Sequence, residues 1–184
     1  MPGPDAKASL DEQLQAMVAA SRPVVGPPAR DPVNLPMIRH WCDAIGDENP
    51  VYTDPEAAIP SLHGGVVAPP TMLQAWGMRG LERRAPAAAP QARGRGPNEL
   101  LNEAGYTSVV ATDSEQDYKR YLEPGDLLIA ESQLESVSSE KHTALGDGYF
   151  VTNKTTYRDQ NGEVVAEMRF RILWFKPPQR EGDE

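Results

Sequence analysis

Along the first third of the chain the apolar positions recur at helical spacing. Leu10, Leu14, Met17 and Val18 follow a Ser9/Glu12 pair with the spacing of a capping box, which predicts a short amphipathic helix. Ile38, Trp41 and Ile45 form the buried stripe of a second helix; Asn34 can cap it, and Pro36 sits in its first turn, where a missing N–H is harmless. Met72, Leu73, Trp76 and Leu81 fall on or near one face of a third helix, apolar enough to be central. From Thr107 onward the period changes. Runs rich in Val, Thr, Tyr and Ile are punctuated by "EPGD" (123–126), "LGDG" (145–148) and "RDQNG" (158–162) and read as strands joined by hairpins. In "EVVAEMRFRILWF" the alternation of Val165, Glu167, Arg169 and Arg171 against Ala166, Met168, Phe170 and Ile172 predicts a long strand with one buried face. Helices first and an antiparallel meander after make an α+β fold, with the sheet wrapped around the apolar helix.

The stretches between these elements have a different composition. "SRPVVGPPARDPVNLP" (21–36) carries five of the 18 prolines and reads as an extended arm. "RRAPAAAPQARGRG" (83–96) has nothing to bury and predicts a mobile surface loop, long enough for a flap or an interface arm. The tail "KPPQREGDE" looks like a linker. The expected organisation is a helix and Pro-rich arm over 1–35, one domain over 36–176, and a linker-like tail over 177–184. There is no internal repeat of the kind that marks a solenoid.

A chain of 184 residues is most simply one domain, able to bury roughly 70% of its unfolded surface. The single Cys42 excludes an internal disulfide framework. No apolar run is long enough to span a membrane, and the opening "MPGPDAKASLDEQ" has no apolar core of a signal peptide, so a soluble cytoplasmic protein is expected. Eighteen Lys and Arg against 27 Asp and Glu give a net charge of −9, which argues against a nucleic-acid partner. A local basic pocket on such a chain can still hold a small anionic ligand.

The order of elements, with "IRHWCDAIGDENPVYTD", "GGVVAPPTML" and "YLEPGD", resembles the MaoC-like hydratase and dehydratase family, in particular its N-terminal variant domain. The match runs from about Pro36 to Lys176. The resemblance implies a hot-dog fold, a helix wrapped by an antiparallel sheet, working in pairs on thioesters of coenzyme A or acyl carrier protein. More narrowly, "NEAGYTSVVATDSEQDYKRYLEPGD" and "KHTALGDGYFVTNKTTYRD" are similar to the large subunit of the heteromeric enoyl-CoA hydratase of bacterial steroid (cholesterol) side-chain degradation. That resemblance implies a small MaoC-like partner that brings the catalytic residues, and a zinc-ribbon and OB-fold domain following in the large subunit.

The family motif is Asp, any residue, Asn, Pro, any residue, His. Asp47, Asn49 and Pro50 match it, and Tyr52 stands in the histidine's place. Hydration of a conjugated thioester needs one group to take a proton from water and one to deliver a proton to the α-carbon. A tyrosine, with a pKa near 10, does not serve as that base at neutral pH. The family also presents a His-Gly pair before the central helix, whose glycine N–H stabilises the enolate oxygen; the matching place in "VVAPPTML" holds Ala68 and Pro69, and proline has no N–H. Each loss removes roughly 10² or more in rate. The catalytic set on this chain is therefore expected to be degenerate.

For Asp47 two roles stay open, a turn residue that binds local N–H groups and a contact to substrate. Tyr52 is expected to fill the lost histidine's space and pack toward the acyl channel, with Val67, Ala68, Pro69 and Trp76 as further substrate-contact candidates. His63 could act as a substitute base, yet the helix starts eight residues later, too far for the family spacing. His40, His142 and Cys42 make no metal-ligand pattern, so no metal and no cofactor is expected. Arg93, Arg95, Lys119 and Arg120 are the candidates for the phosphates of coenzyme A. The expected function is a degenerate subunit that walls the acyl-CoA pocket of a heteromeric (R-specific) enoyl-CoA hydratase. The alternatives are a self-sufficient homodimeric hydratase, an acyl carrier protein dehydratase subunit, and a hot-dog thioesterase, which would need a carboxylate on the central helix where Gln74 and Glu82 stand.

Overall fold

The computed structural model describes residues 4–78 and 96–177, with side chains from Leu10 onward. Among them a single antiparallel sheet runs in the order β1-β3-β5-β6-β2, with the short β4 hydrogen-bonded to β5. The strands are β1 (Val24–Pro28), β2 (Ser108–Tyr118), β3 (Ile129–Val137), β4 (Lys141–Thr143), β5 (Gly146–Arg158) and β6 (Val164–Lys176). The helices are α1 (Pro4–Ala20), α2 (Leu35–Ile45), α3 (Pro50–Thr53), α4 (Pro55–Ala58), a 3₁₀ turn at Pro70–Met72 that leads into α5 (Leu73–Trp76), and α6 (Pro97–Glu103).

The centre of the sheet is the β5–β6 hairpin. Its turn is the "RDQNG" segment, where the Asp159 Oδ1 accepts from the N–H groups of Asn161 and Glu163, both at 2.9 Å. Tyr149, Val151, Asn153, Thr155 and Tyr157 lie opposite Trp174, Ile172, Phe170, Met168 and Ala166, so the alternation read in β6 places its apolar set on the core face. Val165 is also buried, although it lies on the opposite face with the charged positions. The "LGDG" turn joins β4 to β5. Gly146 there has φ 122°, and a Cβ would lie 1.9 Å from the Lys176 carbonyl oxygen, so only glycine fits.

Four local expectations are corrected. The first helix starts at Pro4 and runs through Ser9, so Ser9 and Glu12 do not open it. Ile45 is 54% exposed, because it is the last residue of α2 before the left-handed Gly46 turns the chain; Cys42 takes its place in the stripe beside Ile38. "EPGD" is a tight turn, with the Asp126 N–H on the Glu123 carbonyl at 3.0 Å, but it closes no hairpin: β2 pairs with β6, and β3 pairs with β1 and β5. The proline-rich arm contains a strand, β1, that pairs with β3. Asn34 caps α2 as expected, accepting from the Met37 N–H at 3.0 Å. Leu81 and the expected loop over 83–96, except Gly96, lie outside the described residues, as does the tail beyond Pro177.

Two cores result. The main one packs α2, α5 and the 66–73 segment onto the sheet, with Ile38, Val67, Met72 and Leu73 almost fully buried. The second holds α1 and α6 against the far end of the sheet, where Tyr149 donates to Asp11 at 2.7 Å and Tyr106 meets Tyr149 edge to face at 5.0 Å. This antiparallel sheet around a short helix is the hot-dog fold.

Candidate functional site

The degenerate motif leaves α2 at Gly46, and the Asp47 N–H donates back to the Cys42 carbonyl at 3.0 Å. The Asp47 Oδ1 accepts from the Asn49 N–H at 3.1 Å, and the Asn49 Oδ1 caps α3 through the Val51 N–H at 3.2 Å. The local-turn role of Asp47 is thus present in the structure. Tyr52 follows on α3, 9% exposed and inside the main core. Its burial pushes the phenol above its usual range, and the neighbouring Tyr121 and the Asp47 carboxylate push it in the same direction. Tyr52 is therefore a protonated, packed side chain at neutral pH and cannot serve as a base.

Val67, Ala68 and Pro69 lead into the 3₁₀ turn, and all three are buried, Val67 and Ala68 in the same core as Tyr52. The Ala68 N–H donates to the Leu122 carbonyl at 2.8 Å in an isolated antiparallel bridge. Ala68 has no N–H left to offer and Pro69 has none at all, so neither can stabilise a developing oxyanion. Trp76, 4% exposed, ends α5 in the same core, with its indole N–H lacking a partner among the described residues. Gln74 on α5 turns its amide onto the Met168 sulfur at 2.7 Å, and Glu82 lies outside the described residues.

The cationic candidates separate. Arg120 is corrected. Its guanidinium makes a two-pronged contact to Asp126, at 2.7 and 3.0 Å, and a third to Asp159 at 3.1 Å, with Asp126 9% and Asp159 2% exposed. A fork held by two buried carboxylates is a structural clamp, not a free phosphate ligand. Lys119 pairs with Asp117 on the exposed side of β2. Arg93 and Arg95 lie outside the described residues. His63 donates nothing to the motif directly; its ring packs on Tyr121, with centroids 4.3 Å apart.

The sequence reading missed both Tyr121, which stands between His63 and Tyr52, and a cavity. The cavity, about 630 Å³, opens on the core face of β1, β3 and β5 beyond the end of α5. Its walls are mainly apolar, including Val24, Leu128 and Ala130, with Ser132, Asn153 and Tyr157 on the sheet. That size and lining suit a bulky apolar ligand group. The available signal was Asn153, a polar residue in the inward series of β5. The arrangement as a whole can enclose an apolar group but, among the described residues, holds no positioned acid/base pair.

Comparison with known proteins gives this geometry a context. Residues 24–168 match the FAS1-like dehydratase domain region. Over 179 residues the chain is 51% identical to a probable enoyl-CoA hydratase alpha subunit of Thermomonospora curvata, covering 95% of this chain and 54% of that protein. Over 167 residues it is 45% identical to the 3-oxo-4,17-pregnadiene-20-carboxyl-CoA hydratase alpha subunit of Mycobacterium tuberculosis, covering 90% and 52%. The chain thus spans about half the length of these two relatives. Among solved structures, a chain of the ChsH1-ChsH2 complex of Mycobacterium tuberculosis superposes with a TM-score of 0.79 at 43% identity, over 94% of each chain. With the family match covering most of its length and the hot-dog sheet built as its motifs imply, the chain belongs to the FAS1-like, MaoC-like dehydratase domain family.

Proposed function

We propose that this chain is the degenerate subunit of a heteromeric enoyl-CoA hydratase, walling the acyl pocket while a small MaoC-like partner supplies the catalytic Asp and His. The observation that carries the reading is the Ala68 N–H bound to Leu122 beside an N–H-less Pro69, with Tyr52 buried in the histidine's place. In the reaction, the water oxygen bonds to the β-carbon of the enoyl thioester, and the α-carbon receives a proton. Both proton transfers fall to the partner, since the motif on this chain offers no base and no oxyanion donor among the described residues. The names of the relatives, each an alpha subunit of a hydratase, support a shared assembly.

The substrate class follows from the cavity. A mainly apolar space of about 630 Å³ accommodates a fused-ring acyl group, and the pregnadiene carboxyl-CoA in the name of one relative is of that kind. Coenzyme A would have to meet cations other than Arg120.

The partner's place follows from the sheet edges. β1 is five residues long, ends in two prolines and has an irregular register, a blunted edge. β2 is 11 residues long, carries no proline or glycine, and pairs only with β6 among the described residues. Val109 and Val110 on it are 54% and 38% exposed. The β2–β6 ladder shifts register once, between Ala111 and Asp113, and runs unbroken from Asp113 to Tyr118; an open edge of this length is where a second sheet adds on.

The test is to purify the chain alone and together with a small MaoC-like protein encoded beside it, and to follow loss of the conjugated enoyl-CoA absorbance. Turnover only in the mixture is the expected result. Full turnover by this chain alone would overturn the proposal.

A further inference from the structure

The open edge of β2 carries its charge on one face. Ser114, Gln116 and Tyr118 lie opposite Phe170, Met168 and Ala166, on the core face, and are uncharged. Asp113, Glu115 and Asp117 lie opposite Arg171, Arg169 and Glu167, on the outer face. β2 itself has no Lys or Arg, and Lys119, just past its end, is held by Asp117. The side chains of Asp113, Glu115 and Asp117 are 58%, 76% and 63% exposed, so each carboxylate keeps oxygen lone pairs open to solvent.

Rows of opposite charge cross this outer face. The Arg169 guanidinium on β6 sits between Glu135 of β3, 2.9 Å from its Nε, and Glu115 of β2, 3.9 Å from its Nη1. Beside it the Arg171 Nη1 meets Asp113 at 3.2 Å. β2 thus ends the sheet on an acidic row, and any strand added to the sheet faces carboxylates.

Strand geometry fixes what that row meets. Ser114, Gln116 and Tyr118 turn their N–H groups to the open side, because the Lys119 N–H donates inward to the Val165 carbonyl at 2.9 Å and the direction alternates along a strand. An added strand bonds at those residues. Asp113, Glu115 and Asp117 fall at the intervening positions, where opposite side chains approach most closely, with Cα atoms about 4.5 Å apart. A second copy of this chain, joined antiparallel with its outer face on the same side, has to bond through the same residues, so only every other register is open to it. The registers that overlap the unbroken stretch from Asp113 to Tyr118 most fully set Glu115 opposite Asp113, Glu115 or Asp117 of the other copy. Carboxylate faces carboxylate in each, and like charges directly opposite are destabilising.

Resting on the reading of β2 as the docking edge, we infer that the row of Asp113, Glu115 and Asp117 selects the partner. It disfavours a second copy of this chain and takes an edge strand that presents Lys or Arg at alternate positions on the outer face. Such a strand continues the succession of Glu135, Arg169 and Glu115 by one more cation. The backbone ladder and the exposed Val109 and Val110 supply affinity without choosing between partners; the carboxylates make the choice, by repelling one edge and attracting the other.

The experiment measures binding of this chain to the MaoC-like protein encoded beside it, and sedimentation of the chain alone. At micromolar concentration and low salt the chain alone is expected to sediment as a monomer and the mixture as a complex. The triple variant Asp113→Asn, Glu115→Gln, Asp117→Asn is expected to raise the Kd of the complex by on the order of tenfold, with its thermal transition checking the fold. The wild-type Kd is expected to rise by a similar factor toward about 1 M NaCl, where the screening length falls to about 3 Å, and that of the variant by much less. A low-salt dimer of the chain alone that Gln116→Pro dissolves, by removing an outward N–H, shows that the row does not exclude a second copy and overturns the inference. So does a complex whose Kd changes neither with salt nor in the triple variant; both results leave the docking edge standing. A complex that survives Gln116→Pro unchanged, or no complex at all, overturns docking at β2 and the inference with it.

Discussion

The backbone N–H of Ala68 and the carbonyl of Leu122 are joined at 2.8 Å, and that single bond ties the segment before the central helix to the segment after β2. It places an alanine where a hydratase of this fold needs a free N–H, and the proline that follows has no N–H to put in its stead. In the function proposed above, the loss of chemistry is therefore a backbone property as well as a side-chain one.

It follows that restoring the histidine does not restore the enzyme. Tyr52→His returns an imidazole beside Asp47 but leaves the developing oxyanion without its donor, a deficit of roughly 10² to 10³ in turnover. The chain carrying this change, assayed without a partner by loss of enoyl-CoA absorbance, is expected to stay at or below about 1% of the turnover of the mixed complex. Turnover approaching that of the complex would show that the Ala68–Leu122 bridge does not matter.

Arg120 stitches three segments together: its own position after β2, the "EPGD" turn through Asp126, and the β5–β6 turn through Asp159. Removing it leaves two buried carboxylates facing one another. Arg120→Ala is expected to destabilise the fold by about 3 kcal/mol, read as a lower urea midpoint at unchanged slope. Arg120→Lys recovers only part of this, since one ammonium cannot reproduce the fork. A midpoint equal to wild type for Arg120→Ala would return Arg120 to the list of free cations.

The same clamp predicts an acid-sensitive limb. Burial works to raise the Asp159 carboxyl, but the N–H groups of Glu163 and Asn161 and the Arg120 guanidinium outweigh it and hold it below the ordinary value of 3.8. A carboxylate depressed in the folded state contributes its full stabilisation above the unfolded value; as pH falls past that value the unfolded chain takes up the proton first, and stability is lost until the folded value is passed. Asp159→Asn is expected to be less stable than wild type at neutral pH and to show a flatter decline below about pH 4. Urea midpoints across pH 7 to 3 measure it, and parallel curves for the two proteins would refute the assignment.

How much of this was legible in the sequence depended on whether a signal was local. The Asn34 cap, the β6 alternation and the three turn sequences are set by neighbouring residues, and each was readable. Strand order was not, because "EPGD" looks the same whether it closes a hairpin or carries the chain to a different part of the sheet. Arg120 was misread for the same reason: Asp126 was visible six residues on, but Asp159 comes to it only through the β5–β6 turn. Ile45 fits the helical period and fails because α2 stops there. The motif around Asp47 was the reverse case, with both departures from the family pattern visible as Tyr52 and Pro69. What the sequence could not show was that Ala68 is also spent, on a carbonyl 54 residues away.

The open edge of β2 gives a test of partner docking that leaves the pocket untouched. The Lys119 N–H donates inward to the Val165 carbonyl at 2.9 Å, and strand alternation then turns the N–H groups of Asp117 and Glu115 toward β6 and that of Gln116 toward the open edge. Proline at Gln116 removes one outward donor and places its ring on the edge, without deleting a bond of the β2–β6 ladder. Gln116→Pro is therefore expected to leave a folded chain, with its thermal transition lowered by only a few degrees, that no longer co-sediments with the MaoC-like partner and gives no hydratase activity in the mixture. A substitution on the far edge, Val25→Lys in β1, serves as the comparison, since that strand is already blunted by Pro27 and Pro28 and is expected to retain assembly. If Gln116→Pro still sediments as the full complex, the partner docks elsewhere and the exposed valines of β2 need another explanation.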